Sequence, residues 1–140
     1  MVTIESNGAS TLQLDPYAAG CPSRRVLDRI GDRWTVLVVG SLDDGPRRFS
    51  DIRRRVDGIS QKMLTQTLRG LERDGLVTRT VFAEVPPRVE YELTPAGETL
   101  RAPLKALEDW SIEHFGTIAA SWETFDTQVD SEDRQNSSSD

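Results

Sequence analysis

Two groups of side chains in this 140-residue chain are of types and spacings that could do chemistry. The first is a lone thiol. Cys21 stands directly before Pro22, with Arg24 and Arg25 a turn further on. A thiol at a helix start, near positive charge, is drawn toward its reactive thiolate form. With one cysteine, a disulfide could form only with a second chain or a small thiol; sulfenic acid and alkylated sulfur are the other products. Packing is the competing role, since an unpaired cysteine behaves as a small apolar residue. Both readings stay open at this point.

The second group is polar and clustered: Ser60, Gln61, Lys62, Thr65, Gln66 and Arg69. Glutamine can bridge the edge of an adenine, arginine or lysine that of a guanine, and a threonine methyl can touch thymine. Such side chains also occur on ordinary solvated helices, so their meaning depends on what surrounds them.

Other chemistries find little support. His114 is the only histidine. One His and one Cys fall short of the four ligands of a structural zinc site, so no metal is expected. The G-x-x-x-x-G-K-S/T phosphate loop is absent, and neither a cofactor nor an enzyme activity is expected.

The net charge of −6 conceals a division. Residues 47–88 hold ten basic and five acidic residues, a net of +5, while the rest of the chain holds seven and eighteen, a net of −11. A basic segment in an acidic protein points to a polyanion-binding face. Arg47, Arg48, Arg53, Arg54 and Arg88 are the candidates for phosphate or minor-groove contact. Three consecutive arginines, 53–55, cannot all face one way at 100° per residue, so a subset is expected to reach DNA. Arg88 could instead be a surface charge beside Glu90.

The elements that must position these groups follow from the punctuation. Pro22 suits the first turn of a helix bearing Val26, Leu27 and Ile30. After a break at Gly31-Asp32, Trp34, Leu37, Val38 and Leu42 recur at helical spacing. Ser50 is the expected N-cap of a short helix with Ile52 and Val56, and Ser60 that of the next. Met63, Leu64, Leu68 and Leu71 form its packing stripe, and Gly75 its left-handed terminus. Residues 76–82 and 89–93 read as strands flanking a proline-bearing loop at Val85-Pro86-Pro87. Thr94-Pro95 opens one long amphipathic helix carrying Leu100, Leu104, Leu107, Trp110, Phe115 and Ile118. The expected fold is mainly α with a small β-hairpin: a winged helix-turn-helix, with the helix after Ser60 as recognition helix. Residues 1–15 read as a flexible arm, 16–122 as the domain, and 123–140 as a disordered acidic tail.

These residues resemble the HxlR family of regulators. The likeness is carried by Cys21-Pro22, by residues 31–35 (GDRWT), 45–52 (GPRRFSDI) and 58–65 (GISQKMLT), and by 71–77 (LERDGLV), 86–91 (PPRVEY) and 93–97 (LTPAG). It spans about residues 20–116. It implies a transcription regulator that dimerises through its N- and C-terminal helices and binds an inverted-repeat operator in double-stranded DNA. It also implies a candidate oxidant or electrophile sensor at Cys21, because some members use a cysteine at that place. Two other readings remain: a winged helix that docks proteins, and a regulator whose Trp34, Trp110 or Phe115 lines a small-molecule pocket between subunits. No apolar run approaches the roughly 18 residues of a membrane span. The N-terminus lacks a basic start followed by an apolar block, so a cytoplasmic setting without a membrane partner is expected.

Overall fold

The computed structural model describes residues 13–138; most of the expected N-terminal arm lies outside them. The described chain falls into two compact units that divide between Ala102 and Pro103.

The first unit begins with α1 (Pro22–Ile30), which has Pro22 in its first turn, and α2 (Arg33–Ser41). Asp32 caps α2 by accepting a 2.7 Å hydrogen bond from Trp34 N–H. The short strand β1 (Arg47–Arg48) leads straight into α3 (Phe49–Arg55). Then come α4 (Gln61–Arg73), β2 (Val77–Phe82), β3 (Arg88–Leu93) and α5 (Pro95–Thr99). Val38 and Val39 of α2 and Leu42 just after it, Ile52 of α3, and Leu64, Leu68 and Leu71 of α4 are almost wholly buried and form the core. Burying each such side chain stabilises the fold by about 1.5–3 kcal/mol before entropy is counted.

The sheet is antiparallel throughout, in the order β1-β3-β2. Its registers place Arg47 and Arg79 on either side of Tyr91, and Arg48 and Thr80 on either side of Glu90. Strand side chains alternate between faces, so these are two rows on opposite faces of the wing.

Two local devices set the angle of α4. Gly75, at φ +75°, ends the helix in the left-handed region that L side chains avoid. Arg29 of α1 reaches across Gly70 to Asp74 at 2.8 Å, and a Cβ at Gly70 would fall inside the Arg29 guanidinium. The missing side chain lets α1 hold the far end of α4.

Three expectations are corrected. The third helix starts at Phe49 with Arg48 in the cap position and no side-chain cap, not at Ser50. Arg48 is still paired with Glu90 in the sheet, so the chain turns from strand to helix without a spacer. The single long helix after Thr94 is three: α5, α6 (Arg101–Glu113) and α7 (Phe115–Ser137). Pro103 has no N–H and fits the first turn of a new helix, where that donor would have no helical partner. The acidic segment beyond residue 122 is helical to Ser137 rather than disordered. Its hydroxyls turn back onto its own carbonyls, Thr124 to Ala120, Thr127 to Glu123 and Ser131 to Thr127. The expectation of disorder rests on the scarcity of apolar residues after Phe125; these hydroxyls are satisfied within the helix and add no tertiary contact.

Candidate nucleic-acid interface

The stripe that buries α4 also defines the face it presents. Leu64, Thr67, Leu68, Gly70 and Leu71 are buried. At 100° per residue, Gln61, Thr65, Arg69, Lys62 and Gln66 fall within about 140° of arc on the other side. Gln61, Lys62, Gln66 and Arg69 are exposed, and Thr65 is half-buried. Glu72 lies on the same arc, two turns beyond Thr65, which limits the non-acidic part of the face to the N-terminal turns.

Ser60 is committed to the fold: its hydroxyl accepts a 3.0 Å bond from Met63 N–H, as a helix cap should. Thr65 is committed as well. Its hydroxyl donates to the Gln61 carbonyl at 2.9 Å, so its methyl is the group left to meet a ligand.

An open recess of about 440 Å³ lies beside the start of α4, lined by Phe49, Ser50, Arg53, Arg54 and Gln61. Arg53 and Arg54 therefore point to the seam between α3 and α4, while Arg55, also exposed, is not part of it. Arg54 is paired with Asp51 at 3.1 Å. Among the described residues, no ion pair engages Arg48, Arg53, Lys62 or Arg69.

The wing holds its arginines more tightly. Arg88 lies over the Phe82 ring, its guanidinium carbon 4.1 Å from the centroid, and pairs with Glu84 at 3.3 Å and Glu90 at 3.6 Å. Arg47 is half-buried beside Asp44 at 3.5 Å. The Nε atoms of both arginines are buried without a hydrogen-bond acceptor. Arg79, exposed on β2 in the row with Tyr91 and Arg47, is a basic group that the sequence reading counted but did not place. It shares its face of β2 with Val77 and Val81, two residues to either side.

Cys21 precedes α1 and is 4% exposed. Its Sγ lies 3.1 Å from the Ser23 hydroxyl. Hydrogen bonding to Ser23 lowers the thiol pKa below its ordinary value, while burial opposes the shift. The sequence expectation gave that role to the helix start together with Arg24 and Arg25; the largest cause is the Ser23 hydrogen bond. Trp34 is half-buried, with the Arg33 guanidinium 4.4 Å above its ring. In the second unit Trp110 and Phe115 are exposed, and the Trp110 ring lies 4.9 Å from that of His114. No group of three or more His, Cys, Asp or Glu that could hold a metal occurs among the described residues. Among the described residues, no helix is long and apolar enough to cross a membrane.

A buried-stripe helix with a polar and basic outer face, a short helix before it and a hairpin after it define a winged helix-turn-helix protein of the transcription-regulator class. The chain belongs to the HxlR-like helix-turn-helix family, whose profile matches residues 29–118. It is 49% identical over 94 residues to YtfH of Escherichia coli, an uncharacterized HTH-type transcriptional regulator; the match covers 67% of this chain and 75% of that protein. The solved structure of YtfH from Salmonella typhimurium, described as a transcriptional regulator, superposes with a TM-score of 0.75 at 44% identity. It covers 79% of this chain and 99% of that one. The oxidised form of the redox regulator HypR superposes with a TM-score of 0.62 at 42% identity, covering 66% of this chain and 96% of that one.

Proposed function

We propose that this protein is a sequence-specific transcriptional regulator that binds an inverted-repeat operator in double-stranded DNA as a homodimer. The observation that carries this reading is the outer face of α4. Gln61, Lys62, Gln66 and Arg69 stand exposed on one arc, opposite a fully buried stripe. In the major groove, Gln61 and Gln66 would read adenine edges, Lys62 and Arg69 guanine edges, and the Thr65 methyl a thymine. Ser60 would act through the helix N-terminus that it caps, not as a reader of bases. Arg53 and Arg54, at the seam with α3, and Arg48 on the wing would neutralise phosphates. Arg88 would stiffen the wing by holding Phe82, Glu84 and Glu90 together, and Arg47 would support the same hairpin from its other face. The docking alternative calls for an apolar or acidic face on α4, and the face is neither.

Dimerisation has its own support. Val26 and Leu27 of α1, and Leu107 and Trp110 of α6, are large apolar side chains left about half or more exposed. These are the terminal helices through which the family resemblance implies a dimer, and their burial would complete a small core.

Cys21 would be the sensor of oxidants or electrophiles, acting in the cytoplasm. Its lowered pKa favours the reactive thiolate, and the likeness to a redox regulator supports the assignment. Its burial means that reaction would require α1 to yield, which is how oxidation would be felt by the fold.

Selection from a pool of random duplexes tests the whole reading. Enrichment of a two-fold symmetric sequence, with half-sites about one helical turn apart, is the result expected. A pool that stays random after repeated rounds would overturn it.

A further inference from the structure

We infer that the cleft between α1 and the C-terminal end of α4 binds a small organic dianion, a phosphate monoester or a dicarboxylate, held between Arg25 and Arg73. The site lies at the far end of α4 from Gln61, about 18 Å along the helix. Its regulatory consequence rests on the DNA-binding reading above; the binding itself does not.

The cleft encloses about 310 Å³, enough for a small ligand. Pro22, Arg25, Val26 and Arg29 line it from α1, and Arg73 and Asp74 from the end of α4. The four α1 residues are spaced 3, 1 and 3, which places them on one face of the helix. Three positive charges meet one negative charge there, a net of +2. Asp28 and Glu72, the acids nearest in sequence, do not line the cleft. Arg29 and Asp74 already satisfy each other at 2.8 Å. Among the described residues, no ion pair engages Arg25 or Arg73, and both are exposed. Two guanidinium groups, one on each helix, are thus left open on one cleft.

A volume of about 310 Å³ is roughly 7 Å on a side, inside the Debye length of about 8 Å at physiological salt. A ligand in the cleft feels both charges. Each guanidinium offers a fork of N–H donors that matches a carboxylate or a phosphate. Two forks call for two negative charges. A dicarboxylate carries two, and a phosphate monoester nearly two above its second pKa of about 6. Pro22 and Val26 supply an apolar wall, which favours an organic group over a bare ion. Val26 is also assigned above to the dimer contact, so the cleft would open at the edge of that contact. A ligand that bridges Arg25 and Arg73 ties α1 to α4 one residue from the Arg29–Asp74 pair, which helps set the angle of α4. A second tie at this junction would hold the reading helix as it stands and lower the ordering cost of operator binding. By linkage, the operator would tighten ligand binding by the same factor.

The test is isothermal titration calorimetry on the full chain without DNA, using phenyl phosphate and succinate at pH 7.5 and constant ionic strength. At least one should bind saturably, one per subunit, and the tighter of the two names the class. Benzoate, with a single charge, should bind roughly tenfold or more weakly. Arg25→Gln and Arg73→Gln should each weaken dianion binding roughly tenfold or more. Arg55→Gln, the same charge change at an exposed position outside the cleft, should leave it unchanged. In fluorescence anisotropy, the saturating dianion should tighten operator binding roughly threefold or more. No saturable heat with either dianion, or an equal loss in Arg25→Gln and Arg55→Gln, would overturn the site. Binding that leaves operator affinity unmoved would overturn the regulatory role. Failure of the DNA-binding reading would show separately, in a duplex pool that stays random with no ligand present.

Discussion

The commitment of the Thr65 hydroxyl to its own helix makes a sharp prediction about base reading. If Thr65 meets DNA through its methyl, the contact is with the 5-methyl of a thymine, and it is apolar. Thr65→Ser removes that methyl and keeps the hydroxyl; Thr65→Val does the reverse. Losing one buried methyl costs about 0.8 kcal/mol per half-site, hence about 1.6 kcal/mol for a dimer on two half-sites. At 1.4 kcal/mol per tenfold, Thr65→Ser should weaken operator binding by roughly 15-fold. Thr65→Val gives up only an exposed bond to the Gln61 carbonyl, which water can replace, and should stay within about threefold of the parent. Replacing the contacted thymine by uracil removes the methyl from the DNA side. It should cost the parent the same roughly 15-fold, and should cost Thr65→Ser almost nothing further. Fluorescence anisotropy on the selected operator and its uracil form measures all four corners of this cycle. Full affinity in Thr65→Ser with loss in Thr65→Val would mean that the hydroxyl leaves its helix to read a polar edge, and the reasoning would fail.

Other consequences are simpler to test. Arg53→Gln should lower the slope of log K against log salt by about 1.8 for a dimer, one phosphate contact being lost per subunit, while sequence preference is unchanged. Ser23→Ala should move the pH profile of Cys21 alkylation by iodoacetamide to higher pH, because the hydrogen bond that lowers the thiol pKa is gone; Arg24→Gln should move it far less. Leu68→Ala removes a wholly buried core side chain and should destabilise the fold by about 2–5 kcal/mol in urea melts. That loss should exceed the effect of Gln66→Ala on the exposed arc by several-fold.

Much of the scaffold was legible because it is written in local terms. The stripe of Leu64, Leu68 and Leu71 has helical period, the caps Ser60 and Thr94 sit at helix starts, and Gly75 has the backbone freedom that a helix terminus needs. What depends on distant partners was not legible. Arg47 and Arg48 form a strand only because β3 lies beside them. Nothing local marks a two-residue strand, and Ser50 has the side chain of a cap although Arg48 holds the cap position of α3. Arg88 could be named as a wing residue, but its capture by Phe82, Glu84 and Glu90 requires the hairpin to close. At Cys21 the nearest charges, Arg24 and Arg25, drew attention away from Ser23, whose hydroxyl makes the contact. The acidic segment has few apolar residues, which points to disorder, yet its backbone is helical to Ser137.

The most direct test of the central claim is the affinity of the purified dimer for its selected operator, measured against a scrambled duplex across a range of salt. Three phosphates neutralised per subunit, by Arg48, Arg53 and Arg54, predict a log–log slope of about −5 for the dimer. The operator should bind at least about 1,000-fold more tightly than the scrambled sequence at physiological salt. Equal binding to the two duplexes, or an affinity that salt leaves unmoved, would contradict the account.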